Sequence, residues 1–172
     1  MEKVQDDDLD QLVHLFDRYQ KALYNFFVRL GSGTDDSDDL VQNLFVRIMK
    51  YRKSYKRDHS FKTWLYQMAR NLYYDHYRKE IKIRDAFMKV EDLRDGEMGQ
   101  NESYSEIEEK EEKLRLALEQ LPEDKREVLI LSRFQGMKYE EIADITNTSV
   151  SNVKVKAHRA ISNLREIYFK TA

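Results

Sequence analysis

The sequence predicts an all-α protein: two small helical domains joined by an acidic flexible linker, the second domain containing a helix-turn-helix. Three observations carry this. Apolar residues recur at three- and four-residue spacing along most of the chain. One proline and five glycines among 172 residues are too few for a turn-rich all-β fold or for β/α architectures built on glycine loops. Between two basic helical stretches lies an acidic one in which the periodicity fades. The boundaries expected from these shifts are 1–84 for the first domain, 85–106 for the linker and 107–172 for the second domain.

In the first domain Leu9, Leu12, Val13, Phe16, Tyr19, Leu23, Phe26, Phe27 and Leu30 form one helical stripe, which Gly31-Ser32-Gly33 stops. The cluster Thr34-Asp35-Asp36-Ser37-Asp38-Asp39 supplies capping and first-turn residues for a second helix with the stripe Leu40, Val41, Leu44, Phe45, Ile48 and Met49. A third helix starts near Ser60, carries Phe61, Leu65, Met68, Ala69, Leu72 and His76 on its inner face, and runs to about Arg84. These three close one core. Asp95-Gly96, Gly99 and Asn101 among acidic residues mark the linker. Helical pattern returns at Ile107 to Leu121, and Pro122-Glu123-Asp124 opens another helix through Val128, Leu129, Leu131 and Phe134. After a turn at Gln135-Gly136-Met137-Lys138, two further helices are expected at Tyr139 to Thr146 and about Val150 to Tyr168.

Composition narrows the function. With no cysteine there is no disulfide scaffold, thiolate metal site or cysteine nucleophile, which fits a reducing compartment. No run approaches the ~20 apolar residues of a membrane span. The amino terminus is acidic, unlike a secretory leader, so a cytoplasmic protein without stable membrane insertion is expected. The net charge of −2 is a sum of segregated blocks: residues 47–84 hold twelve Lys/Arg against three Asp/Glu, residues 91–112 two against ten, and residues 150–172 five against one. Two basic surfaces separated by an acidic tether suit a polyanion.

The second domain fits a helix-turn-helix when Tyr139 is taken as its first position. The fifth position, where the helices nearly touch, is the small Ala143; the ninth, where the backbone turns left-handed, is Asn147; the buried fifteenth is Val153. On the last helix Val153, Ala157, Ala160, Ile161 and Leu164 face inward. Ser151, Val155, His158, Arg159 and Ser162 then face outward with Lys154 and Lys156 on the flanks, at ~100° per residue. Such a face offers cations for phosphates or guanine edges and a valine for a thymine methyl. The plain alternative is a solvated basic helix.

On the third helix the same projection sets Thr63, Gln67, Arg70, Asn71, Tyr74, Tyr77 and Arg78 opposite the core stripe, next to Lys50, Arg52, Lys53, Lys56 and Arg57. Tyrosines interleaved with Arg, Asn and Gln are what unpaired bases need for stacking and edge recognition. The alternative for individual tyrosines is packing against the linker or the second domain. The second helix shows a mixed polar face, Asp36, Asp39, Gln42, Asn43, Val46, Arg47 and Lys50, for which composition favours plain solvation.

Four ordered motifs resemble a known family. Asp39-Leu40-Val41-Gln42 with Phe45 and Arg47, then Phe61-Lys62-Thr63-Trp64-Leu65-Tyr66-Gln67-Met68-Ala69-Arg70-Asn71, then Leu121-Pro122-Glu123, then Tyr139-Glu140-Glu141-Ile142-Ala143 resemble bacterial sigma factors of the small extracytoplasmic-function class. The resemblance implies that 1–84 is a region 2 domain and 107–172 a region 4 domain. It implies core RNA polymerase as partner, through its β′ clamp helices and β flap, with Asp39, Gln42, Phe45 and Arg47 meeting the β′ clamp helices. It implies that Lys56, Arg57, Thr63, Trp64, Gln67, Arg70, Asn71, Tyr74, Tyr77 and Arg78 take the promoter −10 element as it melts, with a flipped base held near Asn71. Ser151, Lys154, Val155, Lys156, His158 and Arg159 would read the −35 element in duplex DNA. An anti-sigma factor is an implied partner; no cofactor, metal or catalytic residue is. Asn43 departs from the acid the family commonly has there, and Val155 and His158 stand at positions that vary among its members.

Two other functions are weighed beside this one. A helix-turn-helix regulator acting without polymerase would bind a two-fold symmetric duplex site tightly, and the aromatic–cationic face near Asn71 counts against it. A nucleic-acid enzyme would need a carboxylate/histidine set at metal spacing or a glycine-rich phosphate loop, and the sequence has neither.

Overall fold

A computed structural model describes residues 1–6, 8, 10–56, 60–88 and 106–170, and every regular element among them is helical. In chain order these are α1 (Glu2–Gln5), α2 (Gln11–Leu30), α3 (Thr34–Tyr51), a 3₁₀ turn (Arg52–Ser54), α4 (Phe61–Met88), α5 (Glu106–Glu119), α6 (Glu123–Leu129), a π turn (Ile130–Phe134), α7 (Tyr139–Thr146) and α8 (Val150–Lys170).

The stops are where the turn chemistry puts them. Gly31, at φ 112°, ends α2, its N–H bonding to Val28 O while Ser32 N–H reaches Phe27 O at 3.1 Å, the paired closure that a left-handed residue permits. Helix α3 starts at Thr34 with Asp35 and Asp36 in its positive first turn. Helix α4 is longer than expected, reaching Met88 rather than about Arg84, and α5 starts at Glu106. Residues 85–88 hold no glycine or proline to stop a helix, so α4 runs on into the first residues of the expected 85–106 linker. Of the rest of that linker, residues 89–105 lie outside the described residues.

Leu23, Phe26, Phe27 and Leu30 of α2, Leu40, Leu44 and Ile48 of α3, and Leu65, Ala69 and Leu72 of α4 close the amino-terminal core, whereas Val13 and Met49 of the predicted stripes are exposed and Leu9 lies outside the described residues. The core does not end there. The same buried cluster runs on through Val128, Ile130, Leu131, Ile142, Ala143 and Val153, so the carboxyl-terminal helices sit directly on the amino-terminal ones, with α7 packed on α4. A smaller cluster of Leu118, Leu121, Leu129 and Ala160 ties α5 and α6 to α8.

The helix-turn-helix forms as its spacing requires. Asn147 is left-handed at φ 51°, and Ala143 and Val153 are buried. One feature was illegible beforehand: Gln135 N–H bonds to Ile130 O and Met137 N–H to Leu131 O, a π-type widening that carries Gln135 into the seam between the two domains.

Candidate nucleic-acid interface

On α8 the inward set Val153, Ala157 and Ala160 is buried, and Ser151, Lys154, Val155, His158 and Arg159 are exposed. Ser149 caps the helix, its Oγ accepting the Asn152 N–H at 3.2 Å and lying 3.0 Å from the Ser151 hydroxyl. Val155 is 45% exposed, an apolar group at the centre of a polar, cationic face. Lys156 differs: it is half-buried and its Nζ pairs with Asp124 at 3.0 Å.

The α4 face divides in two. Gln67, Asn71, Tyr77 and Arg78 are exposed, as is Lys56 just before the helix, while Arg57 lies outside the described residues. Thr63, Arg70 and Tyr74 are covered by the second domain instead. Thr63 is buried, with its hydroxyl 3.3 Å from Glu141 Oε1, the carboxylate that also accepts the Lys138 N–H at the start of α7. Arg70 Nε donates to Glu127 Oε1 at 2.7 Å, and its guanidinium lies 4.8 Å from the centre of the Tyr74 ring. Tyr74 and Glu127 both line a cavity of about 270 Å³ at this seam. Tyr74 thus takes the alternative of packing on the second domain.

Tyr66 completes this seam and was not among the expected residues. Its hydroxyl donates to Gln135 Oε1 at 2.5 Å in a fully buried site. At ~100° per residue it falls between the core stripe and the outward face, and no sequence signal separates a residue buried by its own core from one buried by a neighbouring domain. Around it, Arg126 Nη1 and the Tyr73 hydroxyl both donate to Leu30 O at 2.9 Å, satisfying the end of α2.

Burial sets the electrostatics. The Glu127 carboxyl is pushed above the usual carboxylate range by desolvation, against the pull of Arg70 and Tyr74. Burial likewise raises the Tyr74 and Tyr66 phenols well above their ordinary value and lifts Tyr73 to about 12. These hydroxyls are donors at all physiological pH values.

Trp64 is half-buried in an aromatic cluster, its ring 5.5 Å from Tyr55 and 6.0 Å from Phe61. On α3, Asp39, Gln42, Asn43 and Val46 are exposed, but Phe45 is buried against Phe16 at 4.9 Å, so it props the face up from within. Arg47 pairs with Asp75 at 3.6 Å, and Asp75 also pairs with Arg78 at 3.2 Å, linking the α3 face to the α4 face. Gln42 borders a groove of about 510 Å³ whose other wall is Asp17, Gln20, Lys21 and Tyr24 of α2, residues that sequence reasoning did not single out. A second groove of about 390 Å³, lined by Leu114, Leu164, Tyr168 and Phe169, opens between α5 and α8 and is almost wholly apolar. Asp36, His76 and Glu80 bring one ligand atom each within 4.8 Å of one another, a grouping across α3 and α4 that spacing does not reveal. The His76–Glu80 distance of 3.8 Å is that of an i,i+4 pair on an open face.

Comparison with known proteins decides the family. Models described as "Sigma-70 region 2" and "Sigma-70, region 4" match residues 15–82 and 111–164. The chain is 32% identical over 158 residues to RNA polymerase sigma factor YlaC of Bacillus subtilis, covering 91% of each. It is 31% identical to ECF RNA polymerase sigma factor SigX of the same organism, covering 88% of this chain and 80% of that one. The chain belongs to the extracytoplasmic-function sigma factors. Among solved structures, this sigma factor is similar to the sigma factor RpoE of Bartonella quintana, determined with the anti-sigma factor NepR, at TM-score 0.73 and 25% identity over 90% of this chain and 94% of that one. CnrH, determined with the cytosolic domain of CnrY, shares the fold at TM-score 0.77 and 21% identity, covering 99% and 96% of the two chains. The region 2 match displaces the alternative of a regulator without polymerase association. Among the described residues no helix of this sigma factor is long and apolar enough to cross a membrane.

Proposed function

We propose that this sigma factor directs core RNA polymerase to its promoters through two different readouts and promotes melting between them, the bond-forming chemistry remaining with the polymerase. The observation that carries this is the presence on one chain of two chemically distinct nucleic-acid faces. The α8 face is cationic and presents small and apolar tips, suited to base edges in a duplex groove. The exposed part of the α4 face sets Asn71 with Gln67 and Tyr77, suited to a base out of the stack. Holding an extruded base offsets a few kcal/mol of unstacking and unpairing, and Lys and Arg contacts to phosphates supply affinity that falls with salt.

Asp39, Gln42 and Arg47, with Val46 beside them, form the surface for the β′ clamp helices, and the apolar groove between α5 and α8 is the place for a β flap segment. An anti-sigma factor fits as a further partner, since relatives of this fold are held by one. The protein works where the polymerase is, in the cytoplasm. Co-purification with core enzyme tests the assignment. Wild type should elute with core, and Asp39→Ala combined with Gln42→Ala should elute largely free while keeping its helical circular dichroism. Equal retention of both would remove α3 from the polymerase contact. Permanganate then reports unpaired thymines on promoter DNA, and a holoenzyme that binds without exposing any would contradict the melting role.

A further inference from the structure

We propose that α1 is a strap that positions the −10-reading edge of the first domain: Val4 anchors it, and Gln5 holds the backbone at Tyr55, between Lys56 and the ring of Trp64. This rests on the −10 reading of Lys56 and Trp64 and adds positioning residues that the reading lacks.

Four residues do not hold a helix by themselves, because nucleation fixes several dihedrals for one backbone bond. In α1 that bond runs from Gln5 N–H to Met1 O at 3.0 Å, so packing keeps the helix folded. Val4 is fully buried, Met1 packs on the main core, and the helix lies against both α2 and the 3₁₀ turn. A segment this short that commits an apolar side chain to the core is anchored, not a solvated lead-in. The region 2 match begins at residue 15, so α1 lies outside what the family match describes.

From that anchor Gln5 Nε2 donates to Tyr55 O at 2.6 Å, across fifty residues of sequence. Tyr55 is extended backbone at the end of the 3₁₀ turn, outside any helical ladder, and the Gln5 amide fixes it from the side. The Tyr55 ring then meets Trp64 edge-on at 5.5 Å and Phe61 at 6.0 Å, and Phe61 in turn meets Tyr19 of α2 at 5.6 Å. Contact therefore runs from α1 through the Tyr55 backbone to the Trp64 ring, with Lys56 exposed as the next residue along. A surface that takes an unpaired strand loses affinity for every group it has to order on binding. A strap that orders Lys56 and Trp64 beforehand removes part of that loss. Val4 and Gln5 act through Tyr55 and touch no base.

Trp64 is the only tryptophan in the chain, so its fluorescence reads this junction directly. Gln5→Ala removes the donor and Val4→Ala loosens the anchor. Leu118→Ala, in the small buried cluster beneath α8, lowers stability without touching the junction. Acrylamide quenching of Trp64 in the free full chain should rise in both α1 variants and stay unchanged in Leu118→Ala. With holoenzyme, transcription is then measured in one tube from a promoter mapped by run-off and from a copy with one −10 base changed, the base whose change costs wild type most. Loss of folded protein lowers both products alike, whereas a misplaced reading edge narrows their ratio. Gln5→Ala and Val4→Ala should narrow it by up to about fivefold, the factor that one net hydrogen bond commands in an equilibrium, and Leu118→Ala should keep it. Unchanged quenching in the folded α1 variants, an unchanged ratio, or an equal narrowing in Leu118→Ala overturns the proposal. If wild type gives discrete starts and the ratio does not move, only the strap falls. If wild type gives none, the −10 reading itself falls, and the strap's role with it.

Discussion

Arg70→Ala tests the energetics of the seam through its pH dependence. Removing Arg70 leaves Glu127, 3% exposed, without its cation. Breaking a buried pair in this way costs ~3–5 kcal/mol. Here the loss is smaller, about 2 kcal/mol at neutral pH, because the Arg70 side chain is 27% exposed and water reaches the pair. The sign with pH follows from the raised carboxyl. In the folded chain Glu127 titrates above its ordinary value of 4.5, so its contribution to stability is fully present below that value and is lost as pH rises through the folded pKa. Arg70 is the chief influence lowering that pKa, against desolvation and Glu123, which raise it. Without Arg70 the folded pKa climbs further and the loss deepens across neutral pH. The variant should therefore match wild type near pH ~4, apart from about 0.5–1 kcal/mol for the lost Arg70–Tyr74 contact, and fall behind progressively up to pH ~8. In thermal unfolding, 2 kcal/mol in a chain of this size is about 4–8 °C. A deficit of the same size at both ends of the range would refute a buried, ionised Glu127 as its cause.

Asn71→Ala should lower open-complex formation, read by permanganate reactivity, while leaving core association intact; equal loss of both would remove Asn71 from base capture. Arg159→Ala should weaken −35 duplex binding and reduce the slope of log affinity against log salt by about 1 if the contact is to a phosphate, or relax one base position at about 1–3 kcal/mol if it is to a guanine. Ala143→Leu should cost about 1–3 kcal/mol by forcing apart the helices that meet at this buried position, and should abolish −35 binding before it abolishes helicity.

Much of the fold was legible because local signals and burial agreed. Gly31 stops α2, Pro122 precedes α6, and Asn147 takes the left-handed turn that the ninth position demands. The outward face of α8 followed from the buried Val153, Ala157 and Ala160, since one edge of a helix fixes the other. What stayed hidden depends on contacts between distant segments. Helical periodicity places Thr63, Arg70 and Tyr74 on the face away from their own core, and there they meet α6 and α7 rather than water. Glu127 reads as one more helix-surface acid until Arg70, distant in sequence, is set beside it. Phe45 stood in both the apolar stripe and the motif for the polymerase, and the packing against Phe16 puts it in the core. The π turn that aims Gln135 at Tyr66 leaves no mark in the sequence, because its residues suit an ordinary helix equally well.

The central claim, that this chain gives a polymerase its promoters, is tested most directly by run-off transcription. Core enzyme from a compatible host would be supplied with a pool of promoter-bearing DNA, with and without the purified protein, and the 5′ ends mapped. New, discrete start sites sharing two upstream motifs, one for each reading face, are the predicted result. An unchanged set of 5′ ends, from a core enzyme that still responds to a control sigma factor, would contradict it.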